Sequence, residues 1–122
     1  KSRMAISRGH YNSQHETAFY AVESGETADW LSTDSETTLW EFSLDENVEG
    51  GHSTQKPVEA HQRPIRNHKG DVYDPFCGSG TGIIAAENEG RTCYAMEIDP
   101  GYCAVILERC SEAGLECELV SS

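Results

Sequence analysis

The spacing of apolar residues divides the chain into a β-like N-terminal part and a longer part in which helices and strands alternate. The runs 17–22 and 37–43 are rich in aromatic and β-branched residues, as strands are. Because a long polar connection containing Trp30 separates them, we expect an antiparallel hairpin over 17–43. Residues 1–14 show no apolar period, which predicts a loop or a ragged N-terminus.

The second part, residues 52–120, alternates between helix-like and strand-like segments. Pro57 suits the first turn of a helix, and Pro64 should bend or end that helix. Helices and strands in alternation favour a parallel sheet with right-handed crossovers. The predicted elements are a helix from Pro57 through His61, a strand at 72–73, a helix at 83–87, a strand at 92–97, a helix from Pro100 to Ala113 that Gly114 ends, and a possible strand at 115–120.

Residues 71–87 combine the end of a strand, a glycine-rich turn and the start of a helix. Glycines let the backbone turn sharply and let a ligand approach closely, and Ser79 or Thr81 is expected to cap the helix. A helix start favours a carboxylate or a phosphate. The glycine spacing matches neither the dinucleotide motif nor the P-loop, so the stretch predicts a ligand loop of another kind. Its glycines are Gly78, Gly80 and Gly82.

An acidic residue at the end of the next predicted strand narrows the choice of ligand. Glu97 follows an apolar run that starts at Thr92. A carboxylate at the tip of a parallel strand can accept hydrogen bonds from both hydroxyls of a ribose. The loop and this acid together therefore predict a nucleoside site.

Charge and cysteine content limit the partners and the compartment. The 122-residue chain is long enough for one domain, and its formal net charge of −12 repels polyanions, so we expect weak nucleic-acid binding by this chain alone. A solvated acidic face would explain the same charge. The five cysteines form no C-x-x-C pair, and the histidines lack zinc-site spacing, which predicts free thiols and no metal. With no signal peptide or apolar membrane span, we expect a cytoplasmic protein without membrane contact.

Three motifs in order resemble the S-adenosylmethionine-dependent DNA amino-methyltransferases of prokaryotes and phages, in their circularly permuted β-type subgroup. The motifs are His52-Ser-Thr-Gln-Lys-Pro57, Asp74-Pro-Phe-Cys-Gly-Ser-Gly-Thr81 and Glu97-Ile-Asp-Pro-x-Tyr102. The resemblance implies an α/β fold with part of a Rossmann-like methyltransferase sheet. This sheet would contain parallel strands together with the antiparallel hairpin. It implies a cofactor-binding part over residues 15–122.

The resemblance also implies roles for individual residues. Asp74, Phe76 and the loop would surround the methionine part of S-adenosylmethionine, and Glu97 would hold the ribose hydroxyls. Ile98 would pack on adenine. The positions implied to bind cofactor are Thr54, Gln55, Lys56, Asp74, Phe76, Gly78, Ser79, Gly80, Thr81, Glu97 and Ile98. We expect Asp99 to cap the following helix, and we expect Cys77 to be a small filling residue without nucleophilic chemistry.

One motif of such enzymes does not occur in this sequence. They carry a catalytic Asp/Ser-Pro-Pro-aromatic tetrapeptide that holds the target amino group, and no two prolines are adjacent here. The sequence therefore predicts the C-terminal, cofactor-binding part of a DNA methyltransferase acting on an amino group of adenine or cytosine, with no catalytic residue of its own assigned. The alternatives are a truncated, inactive cofactor-binding module and a methyltransferase for small molecules or proteins. Without the strands that carry the missing motif, one edge of the sheet would be unpaired. We expect this edge to pair with the chain's own hairpin, with a second copy of the chain or with a separate catalytic half.

Overall fold

A computed structural model describes residue 10, residues 15–33, 35–42 and 56–118, and residue 120. Helices and strands alternate in it, as predicted for an α/β fold. The elements are α1 (Val58–Arg66), β1 (Val72–Asp74), α2 (Thr81–Asn88), β2 (Cys93–Ala95) and α3 (Pro100–Glu112). No helix among these described residues is long and apolar enough to cross a membrane.

Strands β1 and β2 are parallel neighbours, and α2 connects them. Their register pairs Val72 with Cys93 and Asp74 with Ala95. Pro75 follows β1 directly and removes a backbone donor, which agrees with the predicted end of this strand. Because the strands are parallel, both carboxyl ends lie at the same edge of the sheet, and the segments that follow them meet there.

Small side chains allow α2 to pack closely on its neighbours. Ala85 and Ala86 are fully buried, and Cys77 and Cys110 are nearly so. At the start of α2, a Cβ added to Gly82 would lie 2.5 Å from Oδ2 of Asp74. Helix α2 can therefore begin directly beside the end of β1 only because position 82 carries no side chain.

Helix α3 is closed at both ends by local hydrogen bonds. Asp99 is its N-cap, and Oδ1 accepts hydrogen bonds from the amides of Gly101 at 2.7 Å and Tyr102 at 3.4 Å. At the other end Gly114 adopts a left-handed φ of 71°. The amide of Leu115 donates to the Cys110 carbonyl at 2.8 Å, which is the Schellman pattern. Capping by Asp99 and the helix end at Gly114 are thus as predicted.

The same C-terminal cap explains why a further strand does not start at Leu115. Its amide closes α3, and residues 115–118 form no strand. Pro64 does not end the helix, which was one of the two predicted effects, because α1 continues through it to Arg66. Since Pro64 lies in the last turn, its missing N–H removes a single helical bond, and the Asn67 amide still bonds the Arg63 carbonyl at 3.2 Å.

The hairpin predicted over 17–43 is not formed among the described residues. Neither 17–22 nor 37–42 is a strand there. Each run instead contacts α1 or the turn after it, since the Tyr20 hydroxyl lies 3.1 Å from Nε2 of His68 and the Arg63 guanidinium stacks on Trp40. A two-stranded hairpin is marginal without a surface to pack on, and these contacts separate the two runs.

A short antiparallel bridge takes the place of the hairpin. It pairs Trp30 with His68, and the amides of Leu31 and Lys69 donate to the Asn67 and Asp29 carbonyls. The bridge lies just before β1 and leaves the far edge of β1 without a strand partner among the described residues. Pairing of that edge with a second copy stays a prediction.

Replacing Asp99 with alanine should destabilise the protein by about 1 kcal/mol, because the first-turn amides of α3 lose their acceptor. Asp99→Asn keeps a capping oxygen and is the matched control. Urea unfolding followed by circular dichroism measures both variants. Equal stability of the alanine and asparagine variants would show that the cap contributes nothing.

Replacing Gly82 with alanine should also destabilise the protein, although alanine is normally about 1 kcal/mol better than glycine inside a helix. The added methyl would collide with the Asp74 carboxylate, and overpacking of this kind costs about 1–3 kcal/mol. In an Asp74→Ala background the collision is removed, so the same Gly82→Ala change should become neutral or stabilising. A double-mutant cycle from urea unfolding measures this coupling. Additive effects would contradict the close approach.

Candidate functional site

A cleft of about 290 Å³ lies at the carboxyl end of β1, between the N-terminal region of α1 and the loop 75–80, which we call the glycine loop. This is near the lower end of the range for small-molecule sites. The predicted residues that line it are Lys56, Asp74, Phe76, Gly78, Ser79 and Thr81. Gly80, the last residue of the loop, is buried and does not line the cleft, and Glu97 and Ile98 also lie outside the lining. Thr54, Gln55 and His52 fall outside the described residues.

The Asp74 carboxylate is held in this cleft by the chain around it. Its Oδ1 accepts a hydrogen bond from the amide of Phe76 at 3.2 Å, and its Oδ2 faces the Cα of Gly82. Asp74 therefore presents a negative charge to the cleft in a fixed position.

The backbone of the glycine loop adopts conformations that favour glycine. Gly78 and Gly80 have φ values of 53° and 80°, in the left-handed region. The turn is closed by the amide of Gly80, which donates to the Cys77 carbonyl at 2.8 Å. Gly80 is also the N-cap of α2, without any side-chain cap. The prediction that Ser79 or Thr81 caps this helix is therefore corrected, because Thr81 is already its first residue.

The cysteine in the loop is a filling residue, as expected. Cys77 is buried, and its amide donates to the Met96 carbonyl at 3.1 Å. Burial, and then the nearby Asp74 and Glu97 carboxylates, raise the pKa of the Cys77 thiol. Burial likewise raises the pKa of Cys93 to about 11. Both thiols are protonated at neutral pH and are poor nucleophiles.

Glu97 connects the end of β2 to the glycine loop. Its Oε2 accepts a hydrogen bond from the amide of Gly78 at 2.7 Å. Its Oε1 accepts from the amides of Ile98 and Asp99, both at 2.9 Å. A carboxylate offers about four acceptor positions, so one is left for a further donor.

Two large apolar side chains beside these acids are open to solvent. Phe76 is 89% exposed and Ile98 is 97% exposed. Phe76 follows β1, which ends at Asp74, and Ile98 follows Glu97 in the segment after β2. Exposed apolar groups near convergent polar groups are typical of a binding site for a flat ring.

Lys56 lines the cleft, but its ammonium group forms an ion pair with Glu16. Both side chains are about half exposed, at 51% and 47%. An exposed pair of this kind contributes little to stability, so another carboxylate can replace Glu16 at low cost.

The structure adds two residues that the sequence did not suggest for the site. His61 of α1 and Tyr102 of α3 both line the cleft. Burial lowers the pKa of His61, Asp74 opposes this effect, and Lys56 adds to it, so the imidazole stays neutral at neutral pH. Tyr102 is the last residue of the motif that begins at Glu97, so the sequence could have indicated it as a site residue. His61 carries no local signal, because only the packing of α1 brings it to the cleft.

The chain is similar in sequence and in structure to known DNA methyltransferases. A family model described as DNA methylase, of the N6/N4 methyltransferase type, matches residues 1–108. The type II methyltransferase M2.DpnII of Streptococcus pneumoniae is 35% identical over 77 residues, which are 58% of this chain and 29% of that protein. The crystal structure of an M1.HpyAVI–SAM complex aligns with a TM-score of 0.55 and 26% identity, over 68% of this chain and 43% of the other.

The chain thus spans less than half the length of the relatives it matches. The match to the family model extends over most of the chain and includes the glycine loop, the cleft and Glu97. The chain belongs to the N6/N4 DNA methylase family.

Proposed function

We propose that this chain is the S-adenosylmethionine-binding part of a DNA methyltransferase that modifies an exocyclic amino group, with adenine N6 favoured over cytosine N4 by the resemblance. The observation that carries the proposal is that Asp74 ends β1, Glu97 follows the neighbouring parallel strand β2, and both carboxylates accept amides of the glycine loop. The proposed contacts are Thr54, Gln55, Lys56, Asp74, Phe76, Gly78, Ser79, Gly80, Thr81, Glu97 and Ile98.

The groups around the cleft fit the groups of this cofactor. Asp74 offers a fixed carboxylate for the ammonium and sulfonium charges, and Lys56 offers a cation for the methionine carboxylate. The cleft would hold the methionine part, because Lys56 and Asp74 both line it. The nucleoside would lie beyond the cleft, with the ribose at Glu97 and the adenine between the exposed side chains of Phe76 and Ile98.

Binding at these positions requires two changes in the partners seen in the free chain. The remaining acceptor position of Glu97 suits one ribose hydroxyl, and the second hydroxyl must share Oε2 with the Gly78 amide or replace it. At the other end, the ligand carboxylate must replace Glu16 beside Lys56. Both changes exchange one hydrogen bond or ion pair for another, and the displaced Glu16 carboxylate is half exposed, so water can solvate it.

The cofactor, when bound, supplies a methyl group activated by the adjacent sulfonium. The residues of this chain orient that group and hold its charges in place. Neutral His61 and protonated Cys77 add no competing nucleophilic anion beside it. The target base needs a further element, because the sequence contains no Pro-Pro-aromatic tetrapeptide to hold an extruded base.

The absence of that tetrapeptide supports a second candidate function. A cofactor-binding module without activity would keep the same cleft and would differ only in lacking a catalytic partner. The two candidates make the same prediction for cofactor binding by this chain. They differ in whether adding the catalytic half of a related enzyme restores methyl transfer.

Glu97 should be responsible for the preference for ribose hydroxyls. Calorimetry with S-adenosylhomocysteine and its 2′,3′-dideoxy analogue should show at least about tenfold weaker binding of the analogue, because the half-buried Glu97 carboxylate loses its hydroxyl donors. In the Glu97→Gln variant this difference should shrink, since the amide replaces one acceptor oxygen with a donor. Asp99→Asn is the matched control for an acid-to-amide change outside the contact.

Equal loss of affinity for both ligands in Glu97→Gln would assign Glu97 to loop structure alone. An unchanged preference in that variant would remove its proposed ribose contact. If the wild-type chain binds neither ligand, the proposed cofactor function of the chain fails.

Methyl transfer by this chain alone should be undetectable. With tritiated S-adenosylmethionine and unmethylated DNA, incorporation should stay at background, because the sequence contains no Pro-Pro-aromatic tetrapeptide and the net charge of −12 disfavours DNA binding. A related full-length amino-methyltransferase serves as the positive control. Incorporation above background that is lost in Asp74→Ala would show that this chain is catalytically complete.

A further inference from the structure

We propose that Arg109, outside the cofactor motifs, is a positioning residue that fixes the glycine loop through the backbone of Ser79. The inference rests on the proposed function, because it deepens the role of the same cleft. Arg109 lies in the last turn of α3, and its Nη1 donates to the Ser79 carbonyl at 2.5 Å and to the Ser79 hydroxyl at 3.4 Å.

The Ser79 carbonyl needs a partner from outside its own segment. Helix α2 makes its first bond one residue later, from the Ile84 amide to the Gly80 carbonyl at 3.2 Å. Ser79 is half-buried, so its carbonyl is partly shielded from water. A buried carbonyl without a donor is unfavourable, and Arg109 satisfies it with a charge-assisted bond, which is stronger than a neutral one.

Helix α3 supports the loop by packing as well as by charge. A Cβ added to Gly80 would lie 3.1 Å from Cγ1 of Ile106, so this side chain already contacts the loop backbone closely. Ile106 and Arg109 are three residues apart and therefore lie on the same face of the helix. The same helix face thus provides an apolar contact at Gly80 and a hydrogen bond at Ser79.

The other end of the loop is held from β2. The Cys77 amide donates to the Met96 carbonyl, and the Gly78 amide donates to Glu97. Arg109 therefore secures the half of the loop that Glu97 does not reach. Ser79 and Gly78 both line the cleft, so a shift of Ser79 would move atoms that face the ligand.

The position of Arg109 on its helix adds to this role. A cation in the last turn interacts favourably with the helix dipole, which keeps the side chain near the C-terminal end of α3. The planar guanidinium holds Nη1 in a fixed direction, and this one nitrogen donates to both the carbonyl and the hydroxyl of Ser79. A lysine could reach only as a single flexible donor, so it should restore part of the effect.

The test compares Arg109→Met, Arg109→Lys and Arg91→Met by calorimetry with S-adenosylhomocysteine. Arg91 is the matched control, because it is also half-buried and its Nη2 donates to a backbone carbonyl, that of His68, at 3.3 Å. We expect a dissociation constant about tenfold higher for Arg109→Met and a smaller increase for Arg109→Lys. Arg91→Met should lower the melting temperature without changing the affinity.

Amide NMR spectra of the free protein give a readout that does not depend on the ligand. The resonances of Gly78 and Gly80 should shift in Arg109→Met and stay in place in Arg91→Met. If the wild-type chain binds no cofactor, the proposed function fails, and these shifts still decide whether Arg109 positions the loop. Unmoved glycine resonances would overturn the inference. Equal loss of affinity in the Arg91 control would also overturn it, since the effect would then be general destabilisation.

Discussion

The hydrogen bond between the Glu97 carboxylate and the Gly78 amide is the contact on which the geometry of the site depends. It joins the segment after β2 to the loop after β1, and the Cys77–Met96 backbone bond reinforces it. Because Glu97 also accepts the amides of Ile98 and Asp99, its own side chain is fixed. The acid at the end of β2 therefore organises the loop even before any ligand binds.

Close packing between the end of β1 and the start of α2 also holds the glycine loop in place. Asp74 and Gly82 are in contact, and the buried side chains of α2 are no larger than threonine. Helix α2 therefore lies directly against the end of β1, and this contact fixes both ends of the loop between them. Much of the described chain stays exposed, so order at the site comes from these few short contacts, together with a small core.

Local signals in the sequence were sufficient to predict where the elements around the site begin and end. Pro75 predicts the end of β1, and Asp99 and Gly114 predict the two ends of α3, because each acts on the backbone beside it. The hairpin over 17–43 was different, since strand-like residues there contact α1 and the turn after it. Pairing of such runs depends on what surface is available, which strand propensity does not contain.

Dependence on tertiary packing also explains which residues near the site the sequence did not reveal. His61 and Arg109 reach the site from α1 and α3, and their roles depend on helix packing over long sequence separations. The motif residues from Asp74 to Ile98, in contrast, come from one strand–helix–strand unit and the segment after it, and the parallel connection brings both strand ends to one edge. The proposed cofactor site therefore draws mainly on a short contiguous stretch of chain. The proposed cofactor binding can thus reside in a part of the fold separate from the part that would hold the target base.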